Sequence, residues 1–289
     1  MNWHETIEYI RKEPEYSTLV QQAYFEEKLE LNVERFRATN EFTETLRIIR
    51  ELAPLAKDIL EIGAGNGVAC INFALLGYNV TAVEPDNSDT IGAGAIEKLI
   101  RQFRLENVSV HRQYAEEIDF KEKKFDIVYI RQAMHHAFDL KKFVRKSAEA
   151  IKPGGLLITI RDHVIYDQPD KEWFLKMHPL HKFYGGENAF TADEYRAAIT
   201  ESGLTILKEL KYYDSIINYY PVTDQEIQEL MKKREQHVRG ELKRKISFLS
   251  FLPGMLQLYK LKNGYLKREK YLNEREIPGR MYSYIAQKS

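Results

Sequence analysis

The sequence predicts an α/β fold, a mostly parallel sheet with helices on both faces. Three observations carry that expectation. Residues 58–71 read DILEIGAGNGVACI: an apolar strand pattern (Ile59, Leu60, Ile62), a turn of three glycines, and the start of an apolar helix. Strand and helix patterns then alternate as far as residue 160, the order that builds a parallel sheet from crossover units. Successive strands also end on polar residues (Glu61, Glu84, Arg131), which such a sheet gathers along one edge.

Residues 1–57 read as helices. Trp3, Ile7 and Ile10 share one face, and Leu19, Val20, Tyr24 and Phe25 mark a second segment. Phe42, Leu46, Ile49 and Ala53 keep a 3.6-residue period that Pro54 closes. The sheet then builds up: strands at Asn79–Val83, Val108–Arg112, Phe125–Ile130 and Leu156–Ile160 follow the first, with helices near Ser88–Phe103 and over Leu140–Ile151 between them. Lys152-Pro153-Gly154-Gly155 stops the second of these helices. Thr191–Gly203 reads as a helix with Thr191 and Glu194 as a capping box. Leu204–Tyr213 and Arg280–Gln287 read as the last two strands.

The glycine turn has chemical content. Glycine tolerates positive φ and lets a ligand approach the backbone, and the helix start offers free N–H groups. Glu61, just before the turn, is a poor neighbour for pyrophosphate and a good one for an ammonium or hydroxyl group. Glu84 ends the second strand, where a ribose diol is gripped.

With these residues in place the chain resembles the class I S-adenosylmethionine-dependent methyltransferases. The resemblance rests on Glu61-Ile62-Gly63-Ala64-Gly65-Asn66-Gly67, Val83-Glu84-Pro85, Ala115-Glu116-Glu117, Phe125-Asp126-Ile127-Val128 and Lys152-Pro153-Gly154-Gly155, and covers roughly residues 55–213. A dinucleotide dehydrogenase would want a third glycine where Val68 stands. The resemblance implies a Rossmann-like, seven-stranded sheet whose last strand is antiparallel and lies between strands five and six. It implies three regions: a helical cap at 1–54, a core at 55–221 and 279–289, and a basic helical insertion at 222–278. It implies S-adenosylmethionine as cofactor, with Gly63, Ala64, Gly65, Asn66 and Gly67 beside its methionine and ribose. In that placement Glu61 lies near the ammonium and Glu84-Pro85 at the ribose. Ala115 and Glu116 lie by adenine, and Arg131, Gln132 and Met134 flank the methionine. Tyr114 departs from the family, which often has Asp there to bond the adenine amino group.

Five of the eight histidines lie between residues 135 and 181. Histidine takes a proton near neutral pH, so His136 is the first choice for a general base on an acceptor hydroxyl, then His135 and His181. Residues 161–190 form a long connection, and long ordered loops are often functional. Its His163, His178, Tyr184, Glu187 and Asn188 are expected to bind the acceptor. His178-x-x-His181 with His135 or Glu187 offers metal donors, but the spacing matches no strong zinc pattern and Pro179 disfavours a helical pair, so no metal is expected.

Composition bounds the remaining classes. Lys plus Arg equals Asp plus Glu at 43 each, and 44% of residues are hydrophobic. The one cysteine, Cys70, excludes an internal disulfide and reads as a small buried thiol. The charged N-terminus shows no signal-peptide pattern, and no apolar run approaches a membrane span, so a cytoplasmic location is expected. Between Lys232 and Lys270 there are 12 Lys or Arg against 3 Glu, a formal +9, and the stretch ISFLSFLPGMLQLYKL (246–261) within it has no charge before Lys260. That pattern suits burial against the core or a second subunit, with an anionic membrane surface as the competing fit. The expected activity is methyl transfer to a small molecule or glycan, to oxygen before nitrogen or carbon, with no DNA partner. An RNA or protein methyltransferase and a non-catalytic cofactor-binding module are the alternatives.

Overall fold

The computed structural model describes residues 1–121, 124–246 and 252–289. Seven strands form one sheet: β1 (Asp58–Ile62), β2 (Asn79–Val83), β3 (Val108–His111), β4 (Phe125–Arg131), β5 (Ile151–Ile165), β7 (Leu204–Leu210) and β8 (Met281–Lys288). A two-residue strand, β6 (Phe190–Thr191), pairs with the far end of β5. The order is β3-β2-β1-β4-β5-β8-β7. β8 runs antiparallel between β5 and β7, and the path from β3 through β5 is parallel. The strand order reverses at β1 and β4, which opens a crevice above their carboxyl ends.

One apolar layer lies on each face, as a sheet covered by helices on both sides requires. Phe42, Ile49, Phe73, Ile96 and Tyr129 belong to one, and Val128, Phe143, Val144, Tyr195 and Tyr284 to the other. Cys70 sits in the first with no exposure, its thiol donating to the Gly67 carbonyl at 3.4 Å. A third cluster joins the N-terminal helices (Ile7, Ile10, Val20) to Ile91 and Leu180, and so places a roof over the crevice.

The structure corrects four boundaries. β5 is three times the length expected, because its partner β8 continues past residue 160, pairing Asp162 with Tyr282 and His163 with Met281. A register shift between Thr159 and Asp162 coincides with a positive φ of 63° at Arg161. Such a bulge re-aims the following side chains. Lys152-Pro153-Gly154-Gly155 is an excursion inside β5, where the pairing with β4 jumps from Phe125–Ile151 to Ile127–Leu156. The long connection after β5 is not a loop: Asp167 caps a helix over Gln168–Met177, a short helix follows at His181–Tyr184, and Phe174 is buried. The strand from Leu204 ends at Leu210, and residues 212–214 form a 3-10 turn.

Between β7 and β8 lie helices over Asp224–Ile246, Met255–Lys262 and Arg268–Tyr271. Ile227 and Leu272 bury against Tyr213 and Tyr219. The uncharged stretch 246–261 falls partly outside the described residues. Among the described residues no helix is long and apolar enough to cross a membrane.

Candidate active site

A cavity of about 520 Å³ opens above the carboxyl ends of β1, β4 and β5. Its floor is the glycine turn. Gly63, Gly65 and Gly67 take φ values of 70°, 54° and 86°, and Gly63 and Ala64 donate backbone N–H bonds to the Val83 carbonyl. A Cβ on Gly63 would lie 2.4 Å from that of Ala133, closer than two carbons can come, so only glycine fits between β1 and the segment after β4. Asn66 reaches back to the Tyr24 carbonyl at 2.6 Å, tying the turn to the roof.

Glu61 lines the cavity and is buried, and its Oε2 has no hydrogen-bond partner. Burial lifts its carboxyl to about 8; Arg131 opposes the shift and Glu84 adds to it. Tyr24 also lines the cavity with an unpartnered buried hydroxyl. A buried acceptor with no donor is what an ammonium-bearing ligand would complete. Glu84 is 7% exposed and lies outside the cavity lining. Its carboxylate accepts from the Gly65 N–H at 2.7 Å and the Asp86 N–H at 2.9 Å, wiring the end of β2 to the glycine turn. Burial raises it to about 7 against the pull of those two bonds.

Other expected cofactor residues are placed differently. Arg131 and Gln132 line the cavity, but Met134 has no exposure and packs in the core beneath it. Ala115 is likewise core, and Glu116 accepts from the backbone N–H of Phe138 and Asp139, so its carboxylate shapes the loop after β4. Pro85 and Gly67 do not belong to the lining.

The opposite wall is a cluster of imidazoles around one carboxylate. Glu187 oxygens lie 3.7 Å from His135 Nε2, 4.0 Å from His136 Nε2 and 3.6 Å from His178 Nδ1, and the Tyr184 hydroxyl donates to it. Burial works against the Glu187 carboxylate, yet the surrounding imidazoles hold it well below the ordinary range. His135 rises to about 9: its burial is outweighed by hydrogen bonds to Asp162 and Glu187. His136 is driven down, first by desolvation and then by the charge of His135. Its Nδ1 contacts the Gly186 carbonyl at 3.1 Å. A carbonyl only accepts, so Nδ1 carries the hydrogen and Nε2 keeps its lone pair toward the cavity. His181 and Asn188 lie outside the lining. His181 faces elsewhere, its Nδ1 buried without a partner, and the Asn188 side chain accepts from the Ala189 N–H.

Several residues of the site gave no signal in the sequence. Glu41 has no exposure and pairs with Arg131 at 2.5 and 3.1 Å and with Arg161 at 3.6 Å. Arg131 also stacks over Tyr24 and Phe36. Arg161 donates to the Ile217 and Tyr220 carbonyls. Asp162 accepts from both the backbone N–H and Nδ1 of His135. Glu41 sits within an amphipathic helix (Asn40–Leu52) that also carries Glu44 and Glu51, where an acid reads as solvent-facing.

A family model described as a methyltransferase domain matches residues 32–209, more than half of the chain. The ubiquinone biosynthesis O-methyltransferase of Bradyrhizobium sp. (strain ORS 278) is 31% identical over 130 residues, 45% of this chain and 49% of that protein. The chain spans about half the length of the curated relatives it matches. The geranyl diphosphate C-methyltransferase from Streptomyces coelicolor A3(2), solved with Mg2+, geranyl diphosphate and S-adenosyl-L-homocysteine, superposes with a TM-score of 0.57 at 14% identity, over 91% of this chain and 84% of that one. Phosphoethanolamine N-methyltransferase 2 of Haemonchus contortus, solved with S-adenosyl-L-methionine, gives 0.52 at 17% identity, over 95% and 60%. At such identities the likeness is one of fold, and it agrees with the strand order found here. The family match over the glycine turn and all the parallel strands, on this sheet topology, makes the chain a member of the methyltransferase domain family, a class I enzyme that uses S-adenosylmethionine.

Proposed function

We propose that the chain methylates an oxygen of a small molecule or glycan. The observation that carries this reading is that Glu61, with its unpartnered buried oxygen, and His136, with its free Nε2, face one cavity. A methyl donor anchored at Glu61 and the glycine turn, and an acceptor hydroxyl at the imidazole wall, would then meet inside a single cavity. The ubiquinone biosynthesis relative supports an O-directed small-molecule reaction over the matched half of its length.

Bound S-adenosylmethionine supplies a methyl group on a sulfonium whose departure as a neutral thioether drives the displacement. The chain contributes the rest. Glu61 receives the ammonium, and Gly63, Ala64, Gly65 and Asn66 let the methionine lie against the backbone. Glu84, at the margin of the cavity, would take the ribose hydroxyls on the lone pairs left by its bonds to Gly65 and Asp86, with Pro85, Ala115 and Glu116 supporting the nucleoside side from outside the cavity. Arg131, locked by Glu41, and Gln132 close the floor. His136 Nε2 takes the acceptor proton as the oxygen bonds to the methyl carbon. His135, His163, His178 and Glu187 hold the acceptor, and Tyr184 orients Glu187. Alignment of this kind supplies roughly 7–11 kcal/mol, and a general base roughly 10²–10⁴-fold in rate.

We divide the chain to match, with 1–54 as a roof, 55–221 with 279–289 as the catalytic core, and 222–278 as a basic insertion. Leu252, Leu258, Leu261 and Leu266 are each more than half exposed in that insertion, beside the exposed Lys262 and Lys267, which favours contact with an anionic surface. The test of the main reading is transfer of labelled methyl from S-adenosylmethionine to sugar and phenol panels by wild type and His136→Ala. Equal turnover by the two proteins on a verified acceptor would reject His136 as the base. Transfer only to RNA or protein would reject the acceptor class.

A further inference from the structure

The imidazole wall has a feature that acceptor binding does not require. His135 Nδ1 lies 3.1 Å from Asp162 Oδ1, which also accepts the His135 backbone N–H. His163 Nδ1 lies 2.6 Å from the Gly279 carbonyl. His136 Nδ1 meets the Gly186 carbonyl. All three partners accept hydrogen bonds, so each ring in its neutral form carries its hydrogen on Nδ1 and keeps the lone pair on Nε2. Tying one ring nitrogen to a carboxylate or carbonyl is how proteins orient metal-ligating histidines. The donors of His135, His163 and Glu187 lie within 4.8 Å of one another, all in buried or nearly buried residues. Without a metal, a proton on His135 Nε2 faces the Glu187 carboxylate; a divalent cation would take the place of that proton and use the His163 lone pair as well.

The backbone is built around this convergence. The bulge at Arg161 carries Asp162 and His163 to the cavity edge. Gly279 has a φ of 56°, and a Cβ there would lie 2.1 Å from the Phe174 ring. Only glycine lets its carbonyl reach His163 while Phe174 packs against that imidazole, 4.6 Å away between centroids. The sequence expectation of no metal weighed His178-x-x-His181. The two partners weighed with that pair, His135 and Glu187, do converge, but with His163 in place of His178 and His181, and the three come from separate segments.

We propose that His135, His163 and Glu187 form a divalent transition-metal site of the zinc class, with His136 at its open side. Two imidazoles and one carboxylate with a free position suit zinc or iron over magnesium or calcium, which prefer oxygen. Metal–ligand bonds of about 2.0–2.2 Å put tetrahedral donors about 3.4 Å apart, so the ligands close by a little over an ångström around the ion. The 3.7 Å separation of His135 from Glu187 is already near that value. The open position faces the cavity, where it would hold the acceptor oxygen and make its hydroxyl more acidic. Only this last statement rests on the O-methylation reading; the site itself is argued from the donors.

The test is metal uptake by chelator-stripped full-length protein. Zn2+ binding is followed by competition with a chromogenic chelator, Co2+ by its visible absorption, and Mg2+ serves as control. Wild type is expected to bind one equivalent of Zn2+ below micromolar concentration and to give intense Co2+ bands of low coordination number. Glu187→Gln and His163→Ala should each weaken Zn2+ at least about 100-fold, and Asp162→Asn about 10–100-fold. S-adenosylhomocysteine affinity, measured on the same samples, shows that each variant is folded; Glu187→Gln, close in shape to the native side chain, keeps the test decisive if His163→Ala fails to fold. No stoichiometric uptake by cofactor-competent wild type, uptake unchanged in Glu187→Gln, or preference for Mg2+ would each overturn the site. A filled site with no methyl transfer to any hydroxyl would reject the acceptor reading and leave the site standing. Transfer undiminished in metal-free protein would reject the metal's contact with the acceptor oxygen and leave the acceptor class standing, the site itself being judged by uptake.

Discussion

Glu61 allows a quantitative test of the cofactor pocket. Its carboxyl is lifted to about 8, chiefly by burial, and Oε2 has no partner. The neutral acid is therefore the stable form in the free enzyme at neutral pH. An ammonium gains from the carboxylate and little from the acid. Binding must then expel the proton, and affinity must fall as pH drops below 8. At pH 7 about 0.9 of the Glu61 population is protonated, and at pH 6 about 0.99. The apparent dissociation constant is raised about 11-fold at pH 7 and about 100-fold at pH 6 over its high-pH limit. Glu61→Gln loses this dependence and keeps the titration of the ligand amine. The ratio of wild-type to variant affinity for S-adenosylhomocysteine should therefore rise about ninefold from pH 6 to pH 7 and level off above pH 8. Calorimetry at pH 7 in buffers of different ionisation enthalpy should find about 0.9 more protons released by wild type than by Glu61→Gln. A ratio that stays flat across this range, or equal proton counts, would show that Glu61 does not receive the ammonium.

Three further outcomes follow from the same geometry. Glu41→Gln leaves Arg131 and Arg161 buried beside a neutral partner; breaking a buried pair costs about 3–5 kcal/mol, and scanning calorimetry should find the melting point lowered by on the order of 10 °C. His136→Ala should cut kcat by about 10²–10⁴-fold, with cofactor affinity within twofold of wild type by calorimetry. The insertion should bind vesicles of anionic phospholipid at low salt and release them as ionic strength rises; absence of cosedimentation at low salt would remove the membrane contact.

Local patterns were enough for much of the fold. The strands β1, β2 and β4 lie within a residue of where alternation and apolar runs placed them, and Thr191 and Glu194 form the capping box their spacing implied. The strand ends were harder. β5 runs on because β8, more than a hundred residues later, supplies hydrogen-bond partners that Ile160 and its neighbours do not announce. The helix at Gln168–Met177 was hidden because its one buried residue, Phe174, makes no periodic stripe.

For the site, the sequence alone determined what a short contiguous segment can hold: the glycine turn, Glu61 at its entrance, and Glu84 at the end of the next strand. These depend on φ angles and strand polarity, which neighbouring residues dictate. Tertiary structure decided which distant groups meet. Glu41 finds Arg131 across 90 positions. His163 lies near the end of β5, His135 follows β4 and Glu187 precedes β6, and they share one pocket, with Asp162 held behind His135, because a parallel sheet opens its strand ends on the same edge. Side-chain identities fix the chemistry each residue can perform, but the convergence of imidazoles on a single carboxylate is a property of chain path and register, which no local pattern encodes.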